Sequence, residues 1–225
     1  MQNSETDRAL NTINAYLDVL KRERPSVKLS ENRSSRGAQT VADLLAAAHV
    51  VFVRDGYAGL SFRTVAREAG VAVGNVSYYF ANKTELVVAT LHEAMAGYVE
   101  AQFLRMTDRN RSPLEILLDV VEFYVEDSHH AHPLFFQMWG YLGSSDEAKE
   151  IIRELYRPIG KFVYYLVKAA NPALSYAEAR RIVFQIFSLE QGMKLFITMG
   201  PEKDIALQSA GASMREATKR LVMNA

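Results

Sequence analysis

A chain of 225 residues, 49% apolar and 23% charged, is long enough to bury one large or two small cores. It has no cysteine, which excludes a disulfide framework and a thiolate metal site. Its 26 basic and 26 acidic residues cancel overall, but residues 1–83 hold 11 basic against 8 acidic and the rest 15 against 18. A mildly basic front and acidic back suit a protein that turns its front to a polyanion.

The opening MQNSETDRALNTINAYLDVL is polar and acidic where a secretory leader is basic and then apolar. No apolar run reaches membrane-spanning length, so a cytoplasmic protein is expected. Leu10, Ile13, Leu17 and Leu20 repeat at helical spacing and predict a helix over 6–22. RPSVKLSENRSSRG, with Pro25, its serines and Gly37, reads as a linker, so residues 1–36 form an N-terminal extension. Arg33 and Arg36 are candidates for a basic arm in a minor groove.

From Gln39 to Arg54 a helix buries Val41, Leu44, Leu45, Ala48 and Phe52, and Gly56 stops it. Short helices follow over 62–69, with Ser61 as N-cap, and over 73–80, with Gly70 between them. ANKTEL turns into a long helix near 84–107. Ser112-Pro113 opens another, running to about Ser128, and Pro133 opens PLFFQMWGYL. Further helices are expected over 145–170, 176–198 and 204–222, and no segment shows the period-2 alternation of a strand. The expected fold class is all-α.

Tyr78, Tyr79 and Phe80 pose the sharpest question. Neighbouring helical positions lie about 100° apart, so three consecutive aromatics do not share one face. If Phe80 is buried, a tyrosine points outward. Two short helices around a glycine turn make a helix-turn-helix, whose second helix lies in the major groove. Val65, Ala66, Ala69, Val71, Val76, Tyr79 and Phe80 can pack inward, which leaves Asn75, Ser77 and Tyr78 facing phosphates and base edges. Ser61, Arg63 and Thr64 sit where helical N–H groups favour a phosphate, and Lys83 is a point charge at the head of the long helix.

The stretch FVRDGYAGLSFRTVAREAGVAVGNVSYYFANKTEL closely resembles the DNA-binding domain of the TetR family of bacterial transcriptional regulators. The resemblance rests on Gly56-Tyr57, Ser61, Arg63, Ala66, Ala69-Gly70-Val71, Gly74, Val76, Tyr79-Phe80, Lys83 and Leu86, and covers about residues 39–90. Asn75 stands where the family most often has threonine, Ser77 where it has tyrosine, and Val73 at a position often basic or polar. The resemblance implies a three-helix DNA-binding domain over 37–84 and a helical ligand-binding and dimerisation bundle over 85–225. The DNA candidates are then Ser61, Arg63, Thr64, Val73, Asn75, Ser77, Tyr78, Tyr79 and Lys83.

Residues 123–199 hold 14 of the 23 aromatic side chains. Such a run is either plain core or the lining of an apolar cavity with a few polar groups. The ligand candidates are Phe123, Phe135, Phe136, Trp139, Phe162, Tyr165 and Phe184, with the polar His129, Gln137, Glu190 and Gln191. Glu190 is a ligand contact, a dimer contact or a solvated edge. Over 176–198, Ile182, Phe187 and Phe196 belong to more than one apolar stripe, and the last helix offers Ala206, Ala210, Gly211, Met214 and Leu221 for close approach. Ile182, Phe187, Phe196, Ala210 and Met214 are therefore the dimer-interface candidates.

Glu126-x-x-His129 has the spacing of half a di-iron site, but no second copy exists. No nucleophile triad or phosphate loop stands out, so no catalytic residue, metal or cofactor is assigned. The expected protein is a homodimeric, ligand-responsive regulator, more a repressor than an activator, that binds a palindromic operator and is released by a small apolar, aromatic or acyl effector. The alternatives are an all-helical metal or cofactor enzyme and an effector-less DNA-binding protein controlled by a protein partner.

Overall fold

The computed structural model describes residues 7, 8, 11, 35–105, 111–126, 128–201 and 208–224. The helix expected over 6–22, apart from those three positions, and the candidate Arg33 lie outside them. Nine helices are described and no strand: α1 Ser35–Gly59, α2 Phe62–Glu68, α3 Val73–Tyr79, α4 Lys83–Arg105, α5 Pro113–Glu126, α6 Ser128–Leu142, α7 Asp146–Ala170, α8 Tyr176–Met199 and α9 Ala210–Met223. None of them is long and apolar enough to cross a membrane.

Three boundaries differ from expectation. Helix α1 begins at Ser35, so Gly37 lies inside it; one glycine near a helix end costs only about 1 kcal/mol against alanine. Pro133 lies inside α6 rather than at its start. As the sixth residue of α6, Pro133 gives up the bond that a backbone N–H there would donate to the carbonyl of residue 129. Helix α9 is described from Ala210, since 202–207 lie outside the described residues.

The chain divides into two compact units. One takes the described residues of Tyr16–Glu100 and Pro133–Leu155, the other those of Met1–Ala15, Ala101–His132 and Tyr156–Ala225. Helices α4, α6 and α7 each contribute to both.

In the first unit α1 packs on α2 and α2 on α3. Leu44, Leu45, Ala48, Val51 and Phe52 recur at helical spacing on α1 and are all buried, with Val65, Val76, Phe80 and Leu86 from the elements that follow. Burying Phe52 and Phe80 contributes about 1.5–3 kcal/mol each. In the second unit α5, α8 and α9 pack on one another. Gly211 permits the α5 contact: a Cβ there would stand 3.1 Å from Glu126 Cγ and 3.3 Å from Glu122 Cγ. The small-residue face expected to receive a second chain is therefore turned, at Gly211, to the chain's own α5.

Candidate nucleic-acid interface

Helix α2 is started by a reciprocal cap. The Thr64 N–H donates to Ser61 Oγ at 3.1 Å, and the Ser61 N–H donates to Thr64 Oγ1 at 2.9 Å. Thr64 Oγ1 also lies within 2.9 Å of the Gly59 carbonyl, to which it can donate. Both hydroxyls expected at DNA are thus engaged in fixing the helix start. Arg63 between them is exposed and has no hydrogen-bond or ion-pair partner among the described residues. It is the side chain here with a charge to offer a phosphate.

The turn that follows is set by Gly70, at φ +68. The Val71 N–H donates to the Ala66 carbonyl at 2.9 Å and the Gly70 N–H to the Arg67 carbonyl at 3.3 Å. This pair of bonds closes a helix end around a left-handed residue, where a Cβ is strained. Helix α3 then hangs on Val76, 0% exposed, and Phe80, 1% exposed. Because those two point inward, Val73, Asn75, Ser77 and Tyr78 point outward, Tyr78 with 63% of its surface free. Tyr79 is half-buried, its ring edge-on to Tyr78 with centroids 5.0 Å apart. Ser77 Oγ donates to the Gly74 carbonyl at 3.2 Å, so its hydroxyl is partly engaged by its own helix.

Helix α4 begins where the Glu85 N–H donates to Asn82 Oδ1 at 2.9 Å and the Ala81 N–H donates to the Glu85 carboxylate at 2.7 Å. Lys83, read as a free phosphate contact, is half-buried, and its Nζ lies 4.0 Å from the Tyr57 ring centroid. Burial lowers its pKa below the usual lysine value. Tyr57 in turn stacks obliquely on Tyr141, centroids 4.7 Å apart. Burial pushes the Tyr141 hydroxyl up to about 12.

A second link joins α1 and α6. Gln137 Nε2 donates to the Val53 carbonyl at 3.2 Å, beside the point where Gly56, at φ 66, leaves helical geometry. Sequence reading missed the Tyr57–Lys83 and Gln137–Val53 contacts, since their partners lie 26 and 84 positions apart.

The ligand candidates divide between the two units. Phe135, Phe136 and Trp139 belong to the unit that holds the helix-turn-helix, with the Phe136 and Trp139 rings 5.3 Å apart. Phe123, Phe162, Tyr165, Phe184, Glu190 and Gln191 belong to the other. Phe123, Phe135 and Phe162 are buried, whereas Phe184 is 72% exposed. Glu190 is no solvated edge. It is 2% exposed, 2.5 Å from Lys194 Nζ, and accepts a hydrogen bond from Gln191 Nε2 at 2.6 Å. Burial raises its carboxyl pKa against the pull of Lys194. Glu190 and Lys194 have the i,i+4 spacing that brings side chains together on one helix face.

The dimer candidates divide as well. Ile182, Ala210 and Met214 are buried within the chain itself, Met214 at 0% exposure, so they do not present themselves to a partner. Phe187 is half-buried and Phe196 is exposed. The exposed large apolar and aromatic side chains of α8 are Tyr176, Phe184, Leu189, Leu195, Phe196 and Met199.

The fold and the α2–α3 geometry define a helix-turn-helix protein with a helical C-terminal domain. Residues 44–90 match the family model described as bacterial regulatory proteins, tetR family. Over 98 residues it is 32% identical to the HTH-type transcriptional regulator CymR of Pseudomonas putida, covering 42% of this chain and 48% of that protein. Over 100 residues it is 30% identical to the HTH-type transcriptional repressor KstR2 of Mycobacterium tuberculosis, with the same coverage of each. The chain thus spans about half the length of the curated relatives it matches. The crystal structure of the transcriptional regulator FadR from Bacillus subtilis, in complex with stearoyl-CoA, superposes with a TM-score of 0.65 at 18% identity, over 82% of this chain and 98% of that one. At that identity the likeness is one of fold.

Proposed function

We propose that the protein is a ligand-responsive transcriptional regulator, a repressor in its ligand-free state, acting in the cytoplasm as a homodimer on a palindromic operator. The observation that carries this reading is α3: Val76 and Phe80 are buried, while Val73, Asn75, Ser77 and Tyr78 are exposed. In this reading residues 37–84 are the DNA-reading domain and 85–225 bind the effector and the second protomer. Arg63 and Lys83 contact phosphates, and Asn75, Ser77 and Tyr78 reach base edges and the backbone.

Two such helices would enter successive major grooves about 34 Å apart. The exposed α8 row, with Phe196 and Met199 at 61% and 67%, supports pairing through that helix. An effector would act by changing the spacing of the two reading helices through α4, with a coupling of about 1–3 kcal/mol. The aromatic side chains of 123–199 support an effector with an apolar, planar or acyl body.

The deciding experiment is genome-wide mapping of bound DNA in the native host. A shared inverted repeat, bound by purified protein with an affinity that falls steeply with salt, is the expected result. Absence of any enriched site, together with no DNA affinity in vitro at low salt, overturns the reading.

A further inference from the structure

Between α7 and α8, within the second unit, lies an open groove of about 450 Å³. That is the size of a small-molecule site. Six of its lining residues are three cations, Arg157, Lys161 and Arg180, and three tyrosines, Tyr164, Tyr165 and Tyr176. No lining residue is acidic. We infer that this groove binds an organic anion carrying a planar ring, its acidic oxygens held by the cations and its ring laid against the tyrosines.

The arrangement follows from helical spacing. Arg157 and Lys161 stand one turn apart on α7, and Lys161 and Tyr165 one turn further, so they share a face. Helix α8 presents Tyr176 and Arg180, again one turn apart. Tyr164 joins the two helices, its ring centroid 5.8 Å from that of Tyr176 and 5.5 Å from that of Tyr165. Arg180 is set over the Tyr176 ring at 5.6 Å and reaches the Tyr176 hydroxyl at 3.4 Å. Its neighbour in the groove is thus an aromatic and not a carboxylate. Lys161 is exposed and has no hydrogen-bond or ion-pair partner among the described residues. Lys161 and Arg180 face a lining that holds no acidic residue, and an anionic ligand offsets the repulsion between them.

Gly160 supplies an independent observation. It lies in the interior of α7, where glycine weakens a helix relative to alanine. Nothing stands within 4 Å of the place its Cβ would take, and its φ is not left-handed. Neither packing nor backbone geometry asks for glycine, and its effect is to leave room in the groove. Tyr165 and Phe184, read from the sequence as contacts of an apolar effector, both line this space. Their surroundings give the ligand a charge as well as a ring. The inference narrows the effector chemistry of the ligand-responsive reading proposed above and rests on that reading only for its regulatory meaning.

A planar ring with acidic oxygens is found in aromatic carboxylates and in nucleotides, and calorimetry on the full chain without DNA separates them. The probes are benzoate and ADP, with benzyl alcohol and adenosine as uncharged counterparts and inorganic phosphate as a ringless one. Saturable binding of benzoate or of ADP is expected, about tenfold or more tighter than its uncharged counterpart. It should be weakened several-fold by Lys161→Ala and by Arg180→Ala, and lost in Gly160→Leu, with each variant's thermal unfolding checked in parallel. Three results overturn the inference: no saturable binding of either anion, binding unchanged in Gly160→Leu, or inorganic phosphate binding as tightly as ADP where ADP is the better probe. If Gly160→Leu instead changes the sedimentation coefficient and leaves anion binding intact, the groove is a contact between protomers, and the inference fails. Anion binding that meets these criteria but leaves DNA affinity unchanged upholds the site, and only the regulatory reading of it fails.

Discussion

Gln137 Nε2 donates to the Val53 carbonyl at 3.2 Å, and the same side chain lies against Gly56: a Cβ on that glycine would stand 2.5 Å from Gln137 Oε1. One residue of α6 therefore occupies the space beside the break in α1. Gly56→Ala should destabilise the protein by about 1–2 kcal/mol, through both its φ of +66 and the collision. Combining it with Gln137→Ala should recover part of that loss. Urea unfolding of the two single variants and the double variant measures the coupling, and strict additivity would mean that the contact carries no energy.

Tyr78 tests the reading helix. It is 63% exposed, so Tyr78→Ala should leave the unfolding midpoint unchanged while weakening operator binding about tenfold. Asn75→Ala should shift sequence preference more than overall affinity. Fluorescence anisotropy with operator and scrambled duplexes reads both. Tyr78→Ala affinity within about twofold of the parent would remove α3 from the interface.

Lys83 has two possible employers, a phosphate and the Tyr57 ring 4.0 Å below it. Lys83→Ala should lower the slope of log affinity against log salt by about one. Tyr57→Leu keeps an apolar side chain and removes the π face, and should cost about 0.5–1 kcal/mol of stability. If Lys83→Ala leaves the salt slope alone but destabilises as much as Tyr57→Leu, the lysine serves the fold and not the DNA.

Arg215 on α9 clamps two acids of α5, Asp119 at 2.6 Å and Glu122 at 2.8 Å. Arg111 and Arg215 together hold the Asp119 carboxyl below the usual carboxylate range, Arg111 most strongly. A depressed carboxyl contributes stability above its unfolded pKa of about 3.9 and loses it as pH falls through the lower folded value. Arg215→Met should therefore destabilise at neutral pH by about 1 kcal/mol and flatten the decline below about pH 4. Denaturant titrations at neutral and acid pH give that slope. An unchanged slope would place the acid sensitivity elsewhere.

Phe196 and Met214 make a contrasting pair on neighbouring helices. Phe196 is 61% exposed, and Met214 is fully buried in its own chain. Phe196→Glu should give a folded monomer by sedimentation at micromolar concentration. Met214→Glu should unfold the protein, since an unpaired charge in a core costs several kcal/mol, about 3 or more. A Phe196→Glu protein that remains a dimer would move the interface off this face of α8.

The helix-turn-helix was legible in the sequence because what makes it is local. Ser61 and Thr64 close their cap across three residues, Gly70 supplies a left-handed turn, and the run Tyr78-Tyr79-Phe80 forces one aromatic outward by helical geometry alone. The roles of Lys83 and Gln137 were not legible, because their partners are brought beside them only by the fold. Nor were the faces of α8 and α9. A helix that is apolar on several sides does not say which side its own chain will cover. Packing decided that Ile182, Ala210 and Met214 go inward, that Gly211 admits α5, that Glu190 is buried against Lys194, and that Phe184 and Phe196 stay outside. Apolar side chains gain the same transfer free energy from any partner that removes them from water, so composition ranks them alike and only tertiary structure tells them apart.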